Sequence, residues 1–262
     1  MATIGIFDSG CGGLSVYREL VKLLPQEHYL FFADNAHCPY GEKSALYIQR
    51  RARFITEFLL DRGCDIIVVA CNTATAAAIA VLRDEYPDVP FVGMEPAVKP
   101  AALGTRSGVI GVLATAGTLK GSKYLNTRGL YEDDVKIVEH VGQGFVELVE
   151  NGILDGPEAE KVVSLSLQPL LDAGADTIVL GCTHYPFLQP VIQRLAGEGV
   201  QVIDPAPAVA RRARQILLDN SVPVGQGPFG VQLHTSGDPS ALRRIFALVT
   251  GGRQFADTEE LV

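Results

Sequence analysis

Short, nearly unbroken apolar runs alternate with longer segments of helical spacing along almost the whole chain. Thr3 to Phe7, Tyr29 to Ala33, Asp65 to Ala70 and Pro90 to Met94 read as strands, because short continuous apolar runs bounded by turn formers suit strands buried on both faces. Between them, Leu14 to Leu24, Ser44 to Asp61 and the Ala-rich Thr73 to Tyr86 carry helical periodicity. Ser44 is a candidate N-cap and Gly63 a candidate C-terminal stop. Asp34 to Lys43 is polar and irregular. This alternation implies an α/β fold with parallel strands and helices on both faces of the sheet.

The second half repeats the first in its letters. An offset of 111 residues carries Asp61-Arg62-Gly63-Cys64-Asp65 onto Asp172-Ala173-Gly174-Ala175-Asp176, Cys71 onto Cys182 and Thr73 onto His184. Ile4 to Ser9 resembles Ile110 to Thr115, and Glu95-Pro96-Ala97 resembles Asp204-Pro205-Ala206. A repeat this long implies two similar, pseudo-symmetric domains, each a mostly parallel sheet flanked by helices, with an active site in the cleft between them. The first domain is expected over residues 1–95 plus 208–262 and the second over 96–207. In the C-terminal segment a Pro/Gly-rich loop (Pro223 to Gly230), a strand (Val231 to Thr235) and a helix (Pro239 to Val249) complete the first domain, and the acidic tail from Asp257 to Val262 frays.

Composition narrows the classes. A chain of 262 residues, 47% hydrophobic, can bury a sizeable core. Its formal net charge of -8 argues against a nucleic-acid binder but leaves room for a small acidic ligand in a locally positive site. No apolar run approaches membrane-spanning length, and residues 1–7 lack a basic start with a long apolar stretch. Five scattered cysteines suit a reduced, cytoplasmic protein better than a disulfide scaffold.

Two of those cysteines stand apart. Cys71 and Cys182 each close an apolar run and precede small polar residues at an expected helix N-terminus, which stabilises a thiolate. A thiolate acts as base or as nucleophile, so a Cys182–His184 hydrolase or amidase is one reading. That reading leaves the matching Cys71 without a task. Two like bases on opposite faces of one carbon are what inversion of a stereocentre by proton removal and return requires. Cys64 faces Ala175 in the repeat and reads as a buried, inert thiol. Cys11 and Cys38 read as structural or incidental. The Gly-rich turn Asp8-Ser9-Gly10-Cys11-Gly12-Gly13 can present amides to an anion, either a small carboxylate or a nucleotide with Asp34 as its ribose acid, or serve only as a tight turn. His37-Cys38 and Cys182-Thr183-His184 lack the spacing of a zinc module, and Lys99 lacks a phosphate cradle for a pyridoxal cofactor.

The motifs Ile6-Phe7-Asp8-Ser9-Gly10, Ala33-Asp34-Asn35, Pro39-Tyr40-Gly41-Glu42-Lys43, Ala70-Cys71-Asn72-Thr73-Ala74 and Gly181-Cys182-Thr183-His184-Tyr185-Pro186 together resemble the glutamate racemases of the cofactor-independent aspartate/glutamate racemase family. The resemblance spans essentially the whole chain. It implies that Cys71 exchanges the α-proton of D-glutamate and Cys182 that of L-glutamate, assisted by Asp8 and His184 respectively. It implies substrate contacts from Asp8, Ser9, Tyr40, Gly41, Asn72, Thr73, Thr183 and His184, with Thr115, Thr118 and Glu150 in supporting positions. Neither metal nor cofactor is implied; the implied partners are glutamate and a second copy of the chain, and the implied product is D-glutamate for peptidoglycan. Where many relatives carry Cys-Pro, this chain has Gly142-Gln143-Gly144. An aspartate racemase or a related Cys-dependent racemase is the neighbouring reading.

Overall fold

The structure is a computed structural model that describes residues 1–225 and 229–252 and the backbone of residues 257–260. Among the described residues ten strands run in chain order: β1 Thr3–Asp8, β2 His28–Ala33, β3 Ile66–Val69, β4 Phe91–Gly93, β5 Val109–Ala114, β6 Lys136–Val141, β7 Thr177–Gly181, β8 Gln201–Ile203, β9 Gly230–Thr235 and β10 Asp257–Glu260. They form two sheets, one ordered β10-β9-β2-β1-β3-β4 and the other β6-β5-β7-β8. Every pairing among them is parallel. The chain divides into two compact units, Glu95–Pro205 and the remainder, Met1–Met94 with the segment that begins at Ala206.

The letter repeat is a topological repeat. In each sheet the first strand of its half lies between the second and the third, so β2-β1-β3-β4 and β6-β5-β7-β8 share one order. In both, the third strand ends beside the first: Phe7 pairs with Val69, and Ala114 pairs with Gly181. The residues that follow these strands therefore emerge together at the carboxyl edge, where open α/β sheets place their ligands. Asp8 and Cys71 share one such edge; Thr115 and Cys182 share the other.

Burial follows the sequence pattern. Ile66, Ile67, Val68 and Val69 are wholly inaccessible on both faces of the first sheet. Burying one such side chain contributes about 1.5–3 kcal/mol. Over one face lie the helices Ala45–Leu60 and Asn72–Glu85, which pack Ile48, Ile55, Leu59, Ile79 and Leu82 against Ile67 and Val69. Ser44 caps the first of these helices, its hydroxyl accepting the Tyr47 amide at 3.3 Å. Gly63 follows that helix in the left-handed region at φ +76°. In the second unit Val98, Ala101, Ile110, Val112, Tyr124 and Val179 form the corresponding core.

Two expectations change. The polar stretch after β2 contains two single 3-10 turns, Asn35–His37 and Tyr40–Glu42. The tail segment Asp257–Glu260 is not frayed: it pairs in register with β9, Asp257 opposite Gln232 through Glu260 opposite Thr235. Main-chain pairing does not depend on apolar side chains, and a charged strand at a sheet edge also discourages pairing with other chains. Residues 261–262, and residues 226–228 of the Pro/Gly-rich loop, lie outside the described residues.

Candidate active site

Each unit presents one cysteine at a strand end, and the two surroundings differ. In the first unit β1 delivers Asp8, which is fully buried. Its Oδ2 accepts the Gly13 amide at 2.7 Å, and Ser9 Oγ lies 3.5 Å from its Oδ1. The Gly-rich turn thus closes around the chain's own carboxylate. A Cβ at position 13 would sit 2.8 Å from the Asp8 Cβ, which is why glycine stands there. The helix Leu14–Leu23 starts beside this carboxylate, a favourable place for negative charge.

Cys71 is the N-cap of the helix Asn72–Glu85 and is only 5% exposed. Its sulfur accepts the Ala74 amide at 3.4 Å and lies 3.8 Å from Ser9 Oγ. An N-cap sulfur meets orphan amide donors and the positive end of the helix, both of which favour thiolate. Thr75 locks the first turn of this helix to the sheet: its hydroxyl donates to the Val69 carbonyl at 3.2 Å and accepts the Met94 amide at 3.0 Å. Asn72 is almost fully buried, and neither atom of its side-chain amide has a hydrogen-bond partner among the described residues. A buried amide left open in this way costs free energy unless a ligand completes it. Thr73 is buried beside it.

Tyr40 and Gly41 lie on the second 3-10 turn, and Tyr40 packs in the same apolar cluster as Cys71. The phenol donates to the Asp34 carboxylate. Burial, reinforced by Asp34, pushes the Tyr40 hydroxyl far above its usual range and keeps it a donor. Asp34, weighed as a ribose-binding acid, is instead fully buried and engaged by Arg51, Tyr40 and Ser236. No oxygen of it faces a ribose, and the nucleotide reading loses its second element.

In the second unit β7 ends at Gly181, and Cys182, Thr183 and His184 follow, all buried. Here the expected helix N-terminus is absent. A 3-10 turn, Tyr185–Leu188, which contains Pro186, intervenes before the helix Gln189–Ala196, which carries Pro190 in its first turn. The thiol is instead served by a side chain: Cys182 Sγ lies 3.8 Å from His184 Nδ1, and His184 Nε2 lies 2.7 Å from Glu150 Oε1. Glu150 ends the helix Phe145–Glu150. Tyr185 donates to the Gly142 carbonyl at 3.3 Å and meets the Phe145 ring edge-on at 4.9 Å, which ties the cysteine turn to the turn that launches this helix. A Cβ at position 142 would lie 2.6 Å from the Tyr185 hydroxyl oxygen, so glycine is required while that tie stands. Burial, reinforced by Cys182, raises the Tyr185 hydroxyl well above its usual range.

Thr115 and Thr118 hold each other at the carboxyl end of β5, hydroxyl to hydroxyl at 3.0 Å, and Thr115 caps the short helix Ala116–Leu119. Cys64 packs under Gly5, and burial pushes its thiol up to about 12, as suits an inert core cysteine. The His37 ring pairs with Tyr47 at 2.6 Å. Sequence reasoning missed Arg51, the bidentate partner of Asp34. One signal was present: a cation inside the buried face Ile48–Ala52–Ile55–Leu59 of an amphipathic helix needs an internal acid.

The sequence matches the model of the Asp/Glu/Hydantoin racemase family over residues 4–213. It is 48% identical over 250 residues to the glutamate racemase of Ectopseudomonas mendocina (strain ymp), covering 95% of each chain. It is 49% identical over 249 residues to that of Pseudomonas putida (strain F1), covering 95% of this chain and 94% of the other. Among solved structures it resembles glutamate racemase isoform RacE1 from Bacillus anthracis, with a TM-score of 0.89, 32% identity, and 100% and 97% of the two chains covered. It also resembles the Escherichia coli glutamate racemase solved with L-glutamate and the activator UDP-MurNAc-ala, with a TM-score of 0.86, 34% identity, and 100% and 99% covered.

Proposed function

The chain belongs to the Asp/Glu/hydantoin racemase family and is an amino-acid racemase of the glutamate type, and from this premise we propose that Cys71 and Cys182 are its paired acid and base. The observation that carries the proposal is the matched placement of the two thiols, each after the third strand of its repeat and each with its own polar neighbour, Ser9 or His184. With D-glutamate bound, the Cys71 thiolate removes the Cα proton and the Cys182 thiol delivers a proton to the opposite face. The product is L-glutamate, with Cys71 now a thiol and Cys182 a thiolate. That is the state required for the reverse reaction, so proton and charge balance over a full cycle.

The neighbours divide the labour. Asp8 acts on Cys71 through Ser9, whose hydroxyl lies between carboxylate and sulfur. On the other side His184 donates from Nε2 to Glu150, which leaves Nδ1 as the acceptor facing the Cys182 thiol. The α-proton of an amino acid is far less acidic than a thiol, so the carbanionic transition state needs strong stabilisation. Asn72, with its open amide, and Thr73, Thr183, Tyr40 and Gly41 are the proposed holders of the substrate's carboxylates and ammonium. Removing one preorganised donor of this kind typically costs about 10²-fold or more in turnover. This scheme needs no metal or cofactor. Supply of D-glutamate to peptidoglycan synthesis, by a cytoplasmic homodimer, completes the proposed role.

The arrangement Cys182–His184–Glu150 also has the form of a nucleophile, base and orienting acid, which keeps a Cys-dependent hydrolase as the second reading. Heavy water separates the two. Enantiopure glutamate incubated there with the protein acquires deuterium at Cα while its optical rotation decays. No deuterium and no change in rotation would sink the racemase mechanism. Comparing rates on glutamate and aspartate fixes the substrate.

A further inference from the structure

Asp34 ties together several elements of the first unit. It is completely buried at the end of β2, and five groups converge on it. Arg51 forks onto it from the helix Ala45–Leu60, Nε to Oδ2 at 3.0 Å and Nη2 to Oδ1 at 2.7 Å. Ser236, just past β9, donates to Oδ1 at 2.8 Å, and the Tyr40 phenol donates to Oδ2. The Asp34 amide donates to the Asp8 carbonyl at 2.9 Å, at the end of β1. His37 Nε2 stands 4.0 Å from Oδ1. A carboxylate removed from water to this degree persists as an anion only when charge and hydrogen bonds compensate it, and Arg51 is the guanidinium that does so. The Arg51 guanidinium also lies over the Phe54 ring, 4.8 Å from its centroid.

We propose, on the reading above that Tyr40-Gly41 binds substrate, that Arg51 is a positioning residue for this turn. Through Asp34 it keeps a charged acceptor under the Tyr40 hydroxyl and so fixes the Tyr40–Gly41 backbone for substrate. Without Arg51, the buried Asp34 carboxylate loses the guanidinium that compensates its charge and aims its oxygens. Its hold on the Tyr40 hydroxyl weakens, and the turn loosens. The cysteines are untouched by this change. Substrate is therefore held less well at equal chemistry, which raises KM while kcat stays nearly constant.

The test is kinetic and spectroscopic, made well below the melting temperature of each variant. Arg51→Met raises KM for glutamate about tenfold with kcat within about threefold, and Arg51→Lys, which keeps the charge but loses the fork, recovers most of that loss. In a Tyr40→Phe background Arg51→Met adds little more, because both changes break one chain of interactions. A merely structural role lowers the melting temperature and leaves KM alone; an unchanged KM, or full multiplication of the two effects in the double variant, overturns the proposal. The carbon NMR resonance of the Tyr40 Cζ, assigned by its loss in Tyr40→Phe, gives a readout independent of activity. It moves in Arg51→Met and returns in Arg51→Lys; an unmoved resonance also overturns the proposal. If the unaltered protein fails to racemise glutamate, the functional reading falls, and this resonance alone decides whether Arg51 sets Tyr40.

Discussion

The Cys71 turn and the Cys182 turn occupy equivalent places in one repeat, yet they surround their sulfurs differently. Cys71 caps an α-helix, so the Ala74 amide and the Ser9 hydroxyl lie against its sulfur. Cys182 precedes a 3-10 turn and relies on an imidazole aligned by a carboxylate. A helix N-terminus is a permanent, aprotic source of positive potential. An imidazole is itself an acid and base, and stabilises a thiolate by accepting its proton. The repeat keeps the place of the sulfur and leaves its polar surroundings free to diverge. A racemase has a use for such divergence, because its two substrates are mirror images while its two walls are not.

The largest effect tests the equivalence. Cys71→Ser and Cys182→Ser should each lower racemisation by about 10³-fold or more, since in the proposed scheme each removes the acid–base group on one face. Polarimetry checks this, and near-normal activity in either variant refutes the paired-base scheme.

The next three variants test the divergence. His184→Asn should lower kcat by about 10²-fold, and Glu150→Gln, which weakens only the aligning bond, by about tenfold. Ser9→Ala should have the smallest effect of the three, a few-fold loss, because the amide of Ala74 still serves the Cys71 sulfur. Isotope effects locate each loss. With the second unit impaired, proton removal by Cys182 becomes more rate-limiting, so the isotope effect grows for Cα-deuterated L-glutamate and shrinks for the D-enantiomer. Ser9→Ala should do the reverse. The same pattern for both sets of variants would mean that the two surroundings do not act on separate proton transfers.

The strands, their parallel arrangement and the strand-end cysteines are legible in the letters because they depend on local apolar runs and on the repeat. The difference between the two turns was only half legible. Pro186 and Pro190 stand where the first repeat has Thr75 and Ile79, and prolines at those places break an early helix into a tight turn and a later start. The Arg51–Asp34 pair was not legible as a bond, because its partners are 17 residues apart on elements whose contact only the tertiary fold decides. The strand β10 was hidden for another reason. Its pairing is main-chain, and its acidic letters argue for a solvated tail.

Gly142 sharpens the comparison through packing. Position 142 has no room for a Cβ while Tyr185 keeps its bond to the carbonyl there. Gly142→Ala should therefore destabilise the chain by about 1–3 kcal/mol, the usual cost of forcing extra volume into a packed site. It should also carry the same L-side isotope signature as His184→Asn, because the tie it strains links the cysteine turn to the helix of Glu150. Loss of stability without that signature would confine Tyr185 to packing.

The smallest effect lies at the opposite ends of the same strands, where the repeat places Asp65 before β3 and Asp176 before β7. Asp65 accepts one amide, from Thr3 at 2.7 Å. Asp176 accepts the amides of Arg106 and Ser107 at 2.7 and 2.8 Å and the hydroxyl of Thr105 at 2.6 Å. Partial burial works against its ionised form, but these bonds, with Thr177, hold its carboxyl down to about 2. A group whose folded pKa is depressed stabilises the fold above its unfolded value and loses that contribution as pH falls through the folded one. The contribution of Asp176 is therefore whole above roughly pH 4 and gone below about 2. Solvent screening of this part-buried group keeps it below about 1 kcal/mol. Asp176→Asn should thus lower the midpoint of denaturant unfolding slightly at pH 7, with the gap from the parent closing as the solution is taken toward pH 2. A gap that stays constant with pH would mean that the side-chain amide fails as a cap for steric reasons, and that the charge at the head of β7 contributes nothing.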